Sequence, residues 1–148
     1  MADETAFLNS LAGNWSGKGT VITRIGRPAI SVKCRLVSTA EGASIDMKAT
    51  CRGLLLFSRT ISAALDSSAG RYKGIYVGPT GRRSVLSGSR QGNSINLAVR
   101  WSRIVNGDRS AQMMIQKIGA NGLRLRTVDK DLSTGKDIAT SDIVLQRS

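Results

Sequence analysis

Lys33-Cys34-Arg35-Leu36-Val37-Ser38-Thr39-Ala40-Glu41-Gly42-Ala43-Ser44-Ile45-Asp46-Met47-Lys48-Ala49-Thr50-Cys51-Arg52 reads as two alternating strands folded about one glycine. Taking Gly42-Ala43 as a two-residue turn with glycine first, as a type II′ turn requires, sets Glu41 opposite Ser44. The pairs that follow on one face are Ala40 with Ile45, Ser38 with Met47, Leu36 with Ala49 and Cys34 with Cys51. That face is mainly apolar. The other carries Thr39 with Asp46, Val37 with Lys48, Arg35 with Thr50 and Lys33 with Arg52, and it is wet. A slip of one residue would invert both faces, so the apolar pattern pins the register. The turn-closing pair is hydrogen-bonded, which makes Cys34:Cys51 a non-hydrogen-bonded pair with Cα atoms roughly 4.5 Å apart. That spacing lies at the short end of what a disulfide tolerates. Two reduced cysteines filling a core would instead suit a cytosolic protein. The reading taken is a disulfide, and with it an oxidising compartment.

The same alternation runs outward from this hairpin in both directions. Turn signals fall at Gly26-Arg27-Pro28, Ser67 to Gly70, Gly78 to Gly81, Gln91-Gly92-Asn93, Asn106-Gly107-Asp108, Ala120-Asn121-Gly122 and Ser133-Thr134-Gly135. Between them lie ten candidate strands, near 15–25, 29–40, 45–53, 57–66, 71–77, 82–90, 94–105, 109–118, 123–129 and 137–147. Evenly spaced antiparallel strands form a closed barrel or a sandwich. The chain has 16 glycines, and several (Gly17, Gly19, Gly74 and Gly88) fall inside strands, where they mark the tight coiling that closure demands. The expected fold is all-β: a closed antiparallel up-and-down barrel of about eight to ten strands, one domain over residues 1–148. The one helical candidate is Asp3 to Leu11, with Asp3 as cap and Phe7, Leu8 and Leu11 on one face.

Composition removes several classes of function. The 148 residues include no histidine, so His-dependent triads, His-ligated haem and the usual catalytic zinc sites are out of reach. Carboxylates sit mainly at strand ends, no acid pair falls in a shared apolar site, and the serines have no histidine to activate them. No catalytic residue, cofactor or metal site is expected. The longest apolar run, Gly53 to Ser58, is far short of a transmembrane helix. The start, Met1-Ala2-Asp3-Glu4-Thr5, lacks the basic and apolar segments of a secretion signal. A mature chain beginning at Ala2 behind an added methionine would look the same, and this reading agrees with paired cysteines. The protein is expected in the periplasm or outside the cell, the alternative being the cytoplasm.

Leu11-Ala12-Gly13-Asn14-Trp15-Ser16-Gly17-Lys18-Gly19 is the most informative motif. It superficially matches a phosphate loop but is one residue short, has Gly19 in the magnesium-binding position and leads into a strand. A Gly-x-Trp entering the first strand of a small meander resembles the calycin superfamily of lipocalins, fatty-acid-binding proteins, avidins and nitrobindins. The resemblance extends to the short helical lead-in and the ending Asp142-Ile143-Val144-Leu145-Gln146-Arg147, and is to small secreted bacterial calycin-like proteins of unassigned function. It implies that Trp15 plugs one end of the barrel, with Arg126 or Arg147 packed across it. Nitrobindin-type haem binding does not carry over without histidine. Biotin binding of the avidin kind needs more tryptophans than Trp15 and Trp101.

Two functional readings follow. In the first, a non-enzymatic barrel binds a small apolar ligand or serves in the cell envelope. Its cavity candidates are Trp15, Leu36, Met47, Leu97, Val99, Trp101, Met113 and Leu125, with Val32, Ile45, Ile115 and Leu123 also facing inward; whether they line a space or fill it is open. In the second, the net charge of +12 serves an anionic partner such as lipopolysaccharide, an acidic polysaccharide or an anionic lipid surface. Its candidates are Arg82, Arg83, Arg90, Arg100, Arg103, Arg124 and Arg126. Nucleic acid fits less well, because only six aromatics are present and no strand carries them in a row.

Overall fold

The computed structural model describes residues 2–53, 58–105 and 108–148, with the side chains of 2, 3 and 102–109 left aside. Helix α1 (Ala2–Ser10) precedes ten strands. These are β1 (Gly13–Val21), β2 (Ile30–Glu41), β3 (Ser44–Arg52), β4 (Ser58–Ser68), β5 (Arg71–Val77), β6 (Arg83–Gln91), β7 (Ser94–Val105), β8 (Asp108–Ile118), β9 (Gly122–Lys130) and β10 (Asp137–Arg147). Each pairs antiparallel with its neighbour in sequence, and β1 pairs with β10, which closes the barrel. The expected all-β up-and-down barrel with a short N-terminal helix is what the chain forms.

The β2–β3 hairpin has the expected register at every pair from Glu41↔Ser44 to Lys33↔Arg52. Gly42 has φ of 58° while Ala43 has no positive φ, the signature of a type II′ turn. Cys34 and Cys51 are directly opposed, with Cα atoms 4.1 Å apart, and form a disulfide. Boundaries differ from expectation by up to four residues. The first strand was expected over 15–25 but spans Gly13–Val21, because Ile22 turns to donate its N–H to the carbonyl of Thr140 and Arg24–Arg27 form a turn. The helix begins at Ala2, so Asp3 lies within its first turn and not before it.

The in-strand glycines sit where neighbouring backbones crowd. A Cβ at Gly17 would meet the carbonyl of Val144 on β10, and one at Gly88 would meet the carbonyl of Asn96 on β7. Any larger residue would push apart strands that must curl to close the barrel.

The two ends of the barrel are built differently. At one, strands are joined by Gly42-Ala43, Ala69-Gly70, Gly92-Asn93 and the three residues 119–121. At the other, the described connections are the longer 22–29, 78–82 and 131–136. The helix lies across the tight-turn end: Leu8 and Leu11 are wholly buried, and Glu4 reaches Tyr72 on β5 and Arg90 on β6. This is called the closed end below, and the other the open end.

Candidate functional site

Strand alternation sends every second side chain inward, and on β3 and β9 the size of those side chains falls along the barrel axis. On β3 the inward series from closed to open end is Ile45, Met47, Ala49, Cys51; on β9 it is Leu123, Leu125, Thr127, Asp129. On these two strands the large residues lie at the closed end and the small or polar ones at the open end, where Trp101 on β7 and Tyr76 on β5 are the large side chains. The result is a cavity of about 860 Å³ reaching the open end. Leu36, Met47, Ile115, Leu125 and Ile143 bound it below, Ala49, Ile61, Ala63, Met113, Tyr76 and Trp101 line its wall, and Val21, Ile30, Pro79 and Thr80 stand at the mouth.

Of the cavity candidates, Leu36, Met47, Trp101, Met113 and Leu125 line this space. Trp15, Leu97 and Val99 do not; they belong to the packed core beside the helix, each no more than 2% exposed. Their strands enter the barrel at its closed end, so inward-facing and cavity-lining are different properties. Val32 and Ile115 also border the space, while Ile45 and Leu123 are packed below it.

The cavity is apolar with a few placed polar groups. Asp129 is a buried carboxylate, 3% exposed, whose Oδ2 accepts a 2.6 Å hydrogen bond from Thr140 Oγ1. Thr140 is brought there by a register shift between Ala139 and Ser141, where β10 carries one extra residue against β9. The Trp101 indole stands edge-on to Tyr76, ring centres 6.0 Å apart, and its buried Nε1 has no acceptor among the described residues. Burial pushes the Tyr76 phenol up to about 12, so it stays a neutral hydroxyl at any ordinary pH. Sequence reasoning set the carboxylates mainly at strand ends and did not single out Asp129. The signal was present in the alternation of Leu123, Leu125 and Thr127, which carried two residues further puts Asp129 inside.

The closed end is held by polar contacts to the helix. Trp15 Nε1 donates to the Leu11 carbonyl at 3.0 Å, and the Arg147 guanidinium lies 4.2 Å from the centre of its ring. Arg147 also donates to the carbonyls of Ala12 and Ser10 at 2.8 and 2.9 Å. Of the two arginines named from sequence, Arg147 crosses Trp15; Arg126 lies 3.9 Å from Asp142 instead. Arg90 grips Glu4 through two bonds of 2.8 and 3.0 Å, and Tyr72 donates to the same carboxylate at 2.6 Å. The Arg90 bonds hold the Glu4 carboxyl below its ordinary range, while burial raises the Tyr72 phenol.

The arginines expected to form an anionic-partner surface are scattered. Arg90 is engaged inside the helix contact. Arg124 makes a bidentate pair with Asp142, at 2.8 and 2.6 Å, and keeps that carboxyl below its ordinary range. Arg82, Arg83 and Arg100 are exposed on the β5–β7 side. The side chain of Arg103 lies outside the described residues. Among the described residues no group of three or more His, Cys, Asp or Glu is placed to hold a metal, and no helix is long and apolar enough to cross a membrane.

No protein-family model and no curated protein matches the chain. A likeness does emerge among solved structures. The crystal structure of Rv2717c from M. tuberculosis superposes with a TM-score of 0.76, covering 100% of this chain and 99% of that one at 14% identity. At that identity the likeness is one of fold.

Proposed function

We propose that this protein is a calycin-type barrel, one domain over residues 1–148, that binds a small apolar ligand in its open half without catalysing a reaction. The observation that carries the reading is the apolar cavity of about 860 Å³. Its size falls within the roughly 300–1,000 Å³ of small-molecule sites, and its chemistry matches theirs: apolar walls with a few oriented polar groups. Trp101, Tyr76 and the Asp129–Thr140 pair give such a ligand one polar anchor at the mouth end while the rest of it displaces water from Leu36, Met47, Met113 and Leu125. The calycin assignment is supported by the plug of Trp15 under Arg147. Export to the periplasm or beyond is supported by the disulfide, since such bonds persist where the medium is oxidising.

The test is titration with N-phenyl-1-naphthylamine, a neutral apolar fluorophore, at low and high salt. Saturable one-to-one binding with quenching of Trp101, little changed by salt, is the expected result. Absence of saturable binding, or a steep salt dependence, contradicts the reading.

A further inference from the structure

The outer wall of β1–β3 has a charge arrangement unlike that of the other strands among the described residues. Lys18, Lys33 and Arg52 lie directly opposite one another across three adjacent strands, Lys18↔Lys33 and Lys33↔Arg52. Arg35 and Lys48 face outward on the same wall, and all five side chains are exposed. None of the five makes an ion pair among the described residues. The sequence explains why: no acidic residue occurs between Thr5 and Ala40, nor between Met47 and Leu65. Asp46 is the nearest outward carboxylate on these strands, and Asp142, beside β1, is engaged by Arg124.

Like charges directly opposite on a sheet destabilise it, so Lys33, flanked by a cation on each side, stands at a cost in the free protein. Neighbouring strands are about 4.8 Å apart, so the row presents a cation roughly every 5 Å across the wall. An anionic polymer laid along the row would remove the repulsion. The residues between the cations select its class. Ser16, Thr20, Ser31 and Thr50 supply hydroxyls, and Val37 is the one large exposed apolar side chain described on these three strands away from the mouth. A bilayer-docking face needs apolar side chains to enter the lipid, and a single-strand nucleic-acid face needs aromatic platforms. The described tryptophans and tyrosines, Trp15, Trp101, Tyr72 and Tyr76, all belong to the interior.

We infer that the β1–β3 wall is a binding site for an acidic polysaccharide, a chain of hydroxylated sugars with carboxylate, sulfate or phosphate on successive units. The cations meet the acid groups, and the serine and threonine hydroxyls meet the sugar hydroxyls. This site is independent of the cavity, on the opposite surface of the same strands.

The experiment measures binding of polygalacturonate and dextran sulfate to three proteins: the natural chain, K18E/K33E/R52E, and the control R71E/K73E/K136E. Both variants lower the net charge from +12 to +6. The natural chain should bind both polymers, and binding should weaken as salt rises, because exposed charges are screened within about 8–10 Å. The wall variant should lose about tenfold or more in affinity, and the control about threefold or less. Equal losses in the two variants would mean that net charge alone is responsible and would overturn the site. So would tighter binding to phosphatidylglycerol vesicles or to oligo-dT than to either polymer. The single substitution Lys33→Glu guards against misfolding as an explanation: placed between Lys18 and Arg52, it should raise Tm while weakening polymer binding. A lower Tm would contradict the opposed-charge account.

Discussion

At its closed end the barrel is joined by turns of two or three residues, capped by a helix and packed solid; at its open end the same ten strands enclose about 860 Å³. The strands are continuous from one end to the other, so secondary structure does not explain the difference. Side-chain volume does. Trp15, Tyr72, Leu8, Leu11, Leu97 and Leu123 are all essentially without exposure at the closed end, whereas Ala49, Ala63 and Thr127 leave the open end unfilled. A dense plug at one end lets the other stay hollow, because strand pairing and closure are secured where packing is complete.

This contrast can be broken by truncation. Trp15→Ala removes the plug and the ring on which Arg147 stacks, and should destabilise the fold by about 3–5 kcal/mol in urea unfolding. Trp101→Ala, the matching change in the open half, removes a ring that already borders empty space and should cost about half as much or less. Equal costs would mean that the two ends are packed alike. Next in size is the disulfide, which ties β2 to β3 beside the cavity wall, with Cys51 among its lining residues. Its 17-residue separation implies a loss of roughly 3 kcal/mol on replacing both cysteines by serine. Thiol titration of the denatured, unreduced protein should find no free cysteine.

A smaller effect separates the helix contact from the rest. Glu4→Gln weakens the grip of Arg90 and should cost about 1–2 kcal/mol at neutral pH. Because the folded carboxyl titrates below its ordinary value of 4.5, this stabilisation is complete above that pH and is lost as pH falls through the depressed folded value. The natural chain and E4Q should therefore converge in stability in acid; a difference that persists there would remove the ion pair as the cause. The smallest change is a gain. Ala69 holds a φ of 52° in the β4–β5 turn, a conformation that costs an L-residue about 1–2 kcal/mol, so Ala69→Gly should recover about 0.5–1 kcal/mol and sharpen the closed end further.

What was readable in the sequence followed from local pattern. The β2–β3 register needed only Gly42 and period-two alternation, and it carried the disulfide with it. The closed barrel followed from ten evenly spaced strands and from glycines within them. What was not readable depends on residues far apart in the chain. Arg90 was counted as a surface charge because its partner Glu4 lies 86 positions away, and Arg124 because Asp142 lies on the next strand. The division of inward residues into plug and cavity was hidden for the same reason: Leu97 and Trp101 share a face of β7 and differ only in distance from the helix. The Thr140 contribution rests on a bulge that interrupts the alternation from which it would have been inferred.

The central claim is that the open half is hollow and binds through that space. The most direct measurement is titration of Ala63→Phe with N-phenyl-1-naphthylamine beside the natural chain. Ala63 lines the cavity, and a phenyl ring there fills part of it without touching the plug. The variant should fold with undiminished stability and lose saturable probe binding. Retained binding, or a large loss of stability showing that no room was there to fill, would contradict the account.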